Sequence, residues 1–265
     1  MNSSFQNSPI PEATLAEYFG VSVKLLPHLD FLLGEYEDLG GDIPLIVDWL
    51  REAGIGQNAR ILDLGCGKGA ISIALAKTLG VEAVGCDAFP PFISTANQLA
   101  FERGVANRCE FEIADIVHFV EKAHDYDVVV FVSIGGIFGS PQETVSALRS
   151  CIKPGGLLLM EYAFAAEEKE GFRAFPDLFT EQETIQQLTA HGDELIRRKL
   201  STMEEMLKMN QRYVDSIASR SKLLKTSHPE LTTDLDAYLK REEDACRFIE
   251  TSVQRATWLL RCNKK

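Results

Sequence analysis

The stretch Ile61-Leu62-Asp63-Leu64-Gly65-Cys66-Gly67-Lys68-Gly69 constrains this chain more than any other. An apolar run of strand character ends in a turn with glycine at alternate positions. Residues 70–79 then follow with helical character, up to Gly80 as a helix C-cap. Glycines in such a turn permit positive φ and let a ligand approach the backbone with no Cβ in the way. The N–H groups of the helix start then face that ligand.

Around this unit, short apolar runs alternate with helical patterns from Ala59 to about Cys151, the signature of βαβ units and a parallel sheet. Strands are predicted at 60–64, 81–86, 109–113 and 128–132. The last is an unbroken β-branched and aromatic run that suits a strand buried on both faces. Pro90 and Pro91 suit the first turn of a helix, and Ser140-Pro141-Gln142-Glu143 is a capping box. A fifth strand, 157–161, is launched by the turn Lys153-Pro154-Gly155-Gly156. Thr180-Glu181-Gln182-Glu183 caps a further helix that Gly192 ends, and strands follow at 194–200 and 256–262. Between those two, 203–252 carries apolar residues near helical spacing on either side of Ser227-His228-Pro229-Glu230, which predicts two amphipathic helices. The stretch before Gly41 is less regular, and 42–53 reads as a helix leading into the first strand.

At 265 residues and 45% hydrophobic content, one large domain, or one domain with an insertion, is expected. The formal net charge of −12, without a Lys/Arg stretch, disfavours nucleic acid as a partner. No window approaches the roughly 20 apolar residues of a membrane span. The first residues lack the cationic start and apolar run of a signal peptide. The six cysteines are scattered with no C-x-x-C pair, so neither a zinc site, an iron–sulfur cluster nor a compact disulfide framework is expected. A cytoplasmic location follows as the expectation.

Asp87 ends the second run about 20 residues beyond the turn, where a carboxylate can accept hydrogen bonds from both hydroxyls of a bound ribose. A dinucleotide fingerprint, G-x-G-x-x-G/A, is met in its loose form by Gly65-Cys66-Gly67-Lys68-Gly69-Ala70. Three features favour a different adenosyl ligand. Asp63 precedes the turn, where dinucleotide folds place an apolar residue. Asp115 ends the third strand, where it can accept from an adenine amino group. The Lys153–Gly156 turn is followed by strand, helix, strand, insertion and terminal strand.

Taken together, these residues resemble those of the class I, Rossmann-like S-adenosylmethionine (SAM)-dependent methyltransferases, small-molecule branch, of the quinone-biosynthesis type. The resemblance covers about residues 41–200 and the last strand. It implies an α/β fold: a doubly wound, mostly parallel seven-stranded sheet with an antiparallel last strand and a helical insertion between strands six and seven. It divides the chain into an N-terminal lid segment (1–40), a SAM-binding domain (41–202 plus 253–265) and a substrate lid (203–252). It implies that backbone at Gly65, Cys66 and Gly67 holds the methionine part of SAM, with Asp63 orienting the turn and the amino group. Asp87 then binds the ribose, Ala88 lies against the adenine, Asp115 contacts its amino group, and the Ile116 N–H reaches a ring nitrogen. Phe131, Val132 and Ser133 lie beside the sulfonium and the entering substrate, and S-adenosylhomocysteine (SAH) is the product. The rival readings are a SAM-binding protein without turnover and an NAD-dependent oxidoreductase.

Methyl transfer from a sulfonium is an in-line displacement that positioning and exclusion of water can promote. A general base helps only if the acceptor carries a proton. Glu161 and Tyr162, leaving the fifth strand, are the first candidates for catalytic residues, with a structural carboxylate the competing reading of Glu161. His28, Tyr36, Tyr213, Tyr238 and His228 come second, and His124 and His191 fall away from the ligand edge. Ser133-Ile134-Gly135-Gly136 is not the N/D-P-P-Y pattern of adenine or glutamine amino-group methylation. No Pro-Cys dipeptide and no acidic metal cluster is evident. A sixth strand parallel to the first five would send 203–252 over the ligand edge, and its Met, Tyr and Leu content predicts a partly apolar, enclosed small-molecule site. A homodimer is left open.

Overall fold

The computed structural model describes residues 10–34, 41–166 and 178–264. Its centre is a seven-stranded sheet in the order β3-β2-β1-β4-β5-β9-β7. The strands are β1 (Arg60–Leu64), β2 (Glu82–Asp87), β3 (Cys109–Ile113), β4 (Tyr126–Phe131), β5 (Ile152–Glu161), β7 (Glu194–Leu200) and β9 (Ala256–Arg261). β1 to β5 pair in parallel, and β9 pairs antiparallel with β5 on one side and with the edge strand β7 on the other.

Period-two alternation sorts the strand residues onto two faces. Leu62, Val129, Phe131, Leu158, Met160 and Trp258 bury against one layer, with Val145 and Leu148 of α7 (Pro141–Arg149) and Leu188 of α8 (Glu181–Leu188). Ile61, Val128, Val130, Leu157, Leu159 and Leu259 bury against the other, with α3 (Ile43–Glu52) and α4 (Ala70–Leu79). The unbroken Val128-Val129-Val130-Phe131 run is thus consumed by two cores at once. The helix starts follow local chemistry: capping boxes open α7, α8 and α9 (Met203–Ser227), and Asp42 accepts from the Leu45 amide to cap α3.

The insertion forms α9 (Met203–Ser227) and α10 (Thr232–Ser252), an antiparallel pair joined through a short turn of 3₁₀ helix. Their apolar stripes are covered by the N-terminal segment, which contributes α1 (Glu12–Phe19), a 3₁₀ turn and the single turn α2 (Leu29–Leu32). Leu15, Leu25, Leu29 and Leu32 pack with Ile217, Leu224, Leu235 and Tyr238, and Phe89 and Phe92 join this third core to the sheet. Phe92 belongs to α5 (Pro90–Glu102).

Two differences from the sequence reading have local causes. The Lys153–Gly156 stretch, expected as a turn before the fifth strand, lies inside β5, where a register shift against β4 and a Gly155 φ of 77° absorb the irregularity. A two-stranded ribbon of β6 (Phe164–Ala165) and β8 (Val253–Gln254) was not expected; two residues carry no readable period. Among the described residues no helix is long and apolar enough to cross a membrane.

Candidate cofactor and acceptor site

The parallel strands all point their carboxyl ends at one edge of the sheet, so the residues that leave them converge there. β1 delivers Asp63 and the glycine turn, β2 delivers Asp87, and β3 leads to Asp115. Ser133 follows β4, and β5 ends in Glu161. Because β9 is antiparallel, its entering residue Arg255 arrives at the same edge.

The turn is built on positive φ at Gly65 (64°), Gly67 (52°) and Gly69 (76°). Glycine is required at Gly69 for space as well, since a Cβ there would lie 2.7 Å from the Phe111 ring. Asp63 is only 3% exposed. Its Oδ2 accepts from the Ser72 hydroxyl at 2.6 Å. Burial pushes its carboxyl up to about 6, with nearby Asp87 adding to the rise and the Ser72 bonds opposing it. Asp87 accepts from the Gly67 amide through Oδ2 and from the Phe89 amide through Oδ1, each at 2.9 Å. Burial raises this carboxyl too, against those amides. A carboxylate has about four lone-pair positions, so Asp87 retains acceptor capacity for ribose hydroxyls. Asp115 caps the single turn α6 (Ile116–Phe119) by accepting from the Val117 amide at 2.9 Å. Its other oxygen lies 3.4 Å from the Tyr18 hydroxyl.

These groups enclose a cleft of about 460 Å³. Asp63, Gly65, Cys66, Asp87, Ala88, Asp115, Ile116 and Ser133 line it, as do Tyr18 and Phe19 from α1. Two expected residues sit elsewhere. Phe131 is 2% exposed and packs on Phe138 in the core: as the last residue of β4 it shares the buried face of Val129, whereas Val132 and Ser133 lie past the strand's end and line the cleft. Gly67 does not line the cleft, and its amide is already held by Asp87; the Cys66 amide likewise bonds the Cys86 carbonyl at 3.0 Å. The turn's N–H groups therefore brace β1 against β2, leaving the cleft to be lined by Gly65 and Cys66.

A second cavity of about 580 Å³ adjoins the first, sharing Phe19, Phe92 and the segment Ser133–Gly136. Glu161 and Tyr162 line it, together with Met209, Asn210 and Tyr213 of α9, Glu242 and Ile249 of α10, and Arg255. Arg255 Nη2 donates to Glu161 Oε2 at 2.8 Å, and the Ser133 hydroxyl lies 3.4 Å from the same oxygen. Ser133 has φ 59°, a left-handed conformation that costs a non-glycine residue energy and marks the seam between the cavities. The Tyr162 phenol is raised by burial. Of the second-tier residues, Tyr213 lines the chamber and Tyr238 packs behind it, while His28 and His228 contact each other at a ring distance of 4.8 Å. Tyr36 lies outside the described residues.

Sequence reasoning missed Tyr18, Phe19, Arg255, Asn210 and Glu242. Arg255 alone had a usable signal: it immediately precedes a strand whose antiparallel course fixes where it enters.

The chain belongs to the family described as Methyltransferase domain, whose model matches residues 55–214. Among curated relatives, it is 32% identical over 124 residues to the ubiquinone biosynthesis O-methyltransferase of Bordetella avium, covering 46% of this chain and 50% of that one. It is 28% identical over 178 residues to the ribosomal protein L11 methyltransferase of Serratia proteamaculans, covering 67% and 54%. The chain thus spans about half the length of these relatives. In fold it is similar to a SAM-dependent methyltransferase from Thiobacillus denitrificans solved with SAH, with a TM-score of 0.71, 20% identity and coverage of 88% and 96%.

Proposed function

We propose that the protein binds SAM in the first cleft and transfers its methyl group to a small molecule held in the adjoining chamber, releasing SAH. The observation that carries this reading is the shared wall: Ser133–Gly136 borders both cavities, so a donor in one and an acceptor in the other meet across a single seam. The residues fit the donor. Asp87 retains lone pairs for a ribose, Asp115 stands at the far end for an adenine, and Asp63 offers a buried acid near the turn. SAM bound there supplies a methyl on a sulfonium, a group that needs only alignment and a dry surrounding to react.

The chain's own residues provide both. Tyr18 and Phe19 close the cleft from the N-terminal side, and α9 and α10 wall the chamber with apolar side chains. The N-terminal segment and the insertion act as one cover, because they share a core. Calorimetric titration with SAM, SAH and NAD tests the reading, with Asp87→Ala as control. SAM and SAH should bind, and the variant should weaken them by about 1.5–3 kcal/mol through lost charge-assisted bonds. Binding of NAD without SAM by folded protein would refute it.

A further inference from the structure

The acceptor chamber has a chemical bias of its own. Most of its wall is apolar: Phe19, Phe92, Met209, Ile249 and Val253 among others. Its charged groups, among the described residues, are two carboxylates and one guanidinium. The guanidinium of Arg255 is engaged, donating to Glu161 Oε2 at 2.8 Å and lying 2.9 Å from the Met209 sulfur. No unengaged cation therefore faces the chamber from the described wall, so an anionic head group would find no partner there without breaking the Arg255–Glu161 pair. The carboxylates differ. Both bonds to Glu161 fall on Oε2, leaving Oε1 its lone pairs.

Glu242 lines the same chamber from α10. Its Oε2 accepts from the Tyr213 hydroxyl at 3.0 Å and its Oε1 from Arg241 at 2.9 Å. Arg241 also donates to the Phe19 and Gly20 carbonyls, which ties Glu242 to the residue that borders both cavities. Among the described residues, the groups facing Glu242 are the phenols of Tyr213 and Tyr238, the Arg241 guanidinium and the Cys246 thiol. Burial raises the Glu242 carboxyl above its ordinary value, and Arg241 and Tyr213 oppose the rise. A half-desolvated acid of this kind is a competent proton acceptor.

We infer that the methyl acceptor is a small aliphatic amine with an apolar body, its ammonium received between Glu161 and Glu242, with Glu242 taking the proton. The inference deepens the methyl-transfer reading and rests on it. The ammonium gives one proton to the Glu242 carboxylate, and the nitrogen lone pair then forms the N–CH₃ bond. The S–CH₃ bond breaks with its electron pair going to sulfur, which leaves as the thioether of SAH. The product is an N-methylammonium, and the Glu242 proton passes to solvent. An aliphatic nitrogen has a localised lone pair once deprotonated, so no N/D-P-P-Y motif is needed.

The test uses three probes of matched body: 2-phenylethylamine, 2-phenylethanol and 3-phenylpropanoate. Each is titrated by calorimetry into full-length protein saturated with SAH, and each is assayed for methyl uptake from tritiated SAM. The amine should bind at least tenfold tighter than either other probe and alone be methylated. Glu242→Gln should erase that preference while SAH affinity is unchanged, Glu242→Asp should restore part of it, and Tyr213→Phe should weaken it severalfold. Equal or tighter binding of the carboxylate or alcohol, an amine preference that survives Glu242→Gln, or no probe binding to SAH-loaded protein would each overturn the inference. Failure of SAH itself to bind would instead bring down the methyl-transfer reading beneath it.

Discussion

The carboxylate of Asp87 accepts the amide proton of Gly67 at 2.9 Å, so the acid that ends β2 also closes the glycine turn that follows β1. The turn and the acid proposed to hold the ribose are therefore one device. Removing the acid should affect both, which a residue that only touched ligand would not do. In Asp87→Ala the Gly67 and Phe89 amides lose their partners, and their hydrogen exchange should accelerate while that of central strands is unchanged. SAH affinity should fall at least tenfold in the same protein. Normal protection at Gly67 alongside lost affinity would show that the brace is dispensable.

Asp63 makes stability depend on pH in an unusual direction. Folded, its carboxyl keeps a proton up to about 6; unfolded, it titrates near its ordinary 3.8. Between those values the folded chain binds more protons than the unfolded chain, so stability falls as pH rises through this window. Below the window this group contributes no slope, and above it the cost levels off at about 3 kcal/mol. Asp63→Asn removes the ionisation and keeps an acceptor for the Ser72 hydroxyl. The ligand-free variant should exceed the wild type in urea midpoint at pH 8 and match it at pH 4, and SAM binding should weaken with the lost charge. A constant difference across pH would rule out Asp63 as the source.

Gly65 and Gly155 separate strain from space. Both have positive φ, 64° and 77°, so alanine at either should cost about 1–2 kcal/mol in denaturant unfolding. A Cβ on Gly155 meets nothing within 4 Å, whereas one on Gly65 overlaps the Cδ1 of Ile134. Ile134 borders both cavities, so relieving that overlap pushes it into the seam. Gly65→Ala should therefore lose SAH affinity well beyond its stability cost, and Gly155→Ala should bind normally. Equal affinities would mean that Ile134 moves aside without narrowing the site.

The strand-end residues were legible because topology does the placing. Once Asp63, Asp87 and Asp115 are put at the ends of parallel strands, the sheet brings them to one edge without further information. Phe131 was grouped with Val132 and Ser133, yet it is still inside β4 and faces the core with Val129, and only the two residues past the strand's end reach the cleft. Gly67 marks a different limit: whether its amide is free for a ligand or already spent on a neighbouring acid depends on a contact between the turn and β2 that no local pattern displays. Tyr18, Phe19 and Glu242 reach the site by packing of distant helices, and no local period announces which polar residue of an amphipathic helix turns inward. Tyr213 was singled out as a residue type, but its partner on α10 was not.

Lys68 shows what such distant packing demands. It sits inside the glycine turn yet is 2% exposed, and its Nζ donates to the Leu33 carbonyl at 2.9 Å and the Asp30 carbonyl at 3.4 Å. The Asp30 carboxylate lies 3.1 Å away. The turn that shapes the proposed cofactor cleft is thereby pinned to the N-terminal segment that carries Tyr18 and Phe19. Lys68→Met retains most of the aliphatic stem but leaves the Leu33 carbonyl without its donor, a loss of about 1–3 kcal/mol. Because the break is local, it should loosen the segment before the sheet. Amides of 12–33 should exchange faster, and limited proteolysis should cut there first, with β1 and β4 still protected. SAH should then bind more weakly but slow the cleavage, since Tyr18 and Phe19 line the cleft proposed for it and its binding would favour the closed segment. Cleavage at the same rate with and without SAH would mean that the segment does not cover the bound ligand.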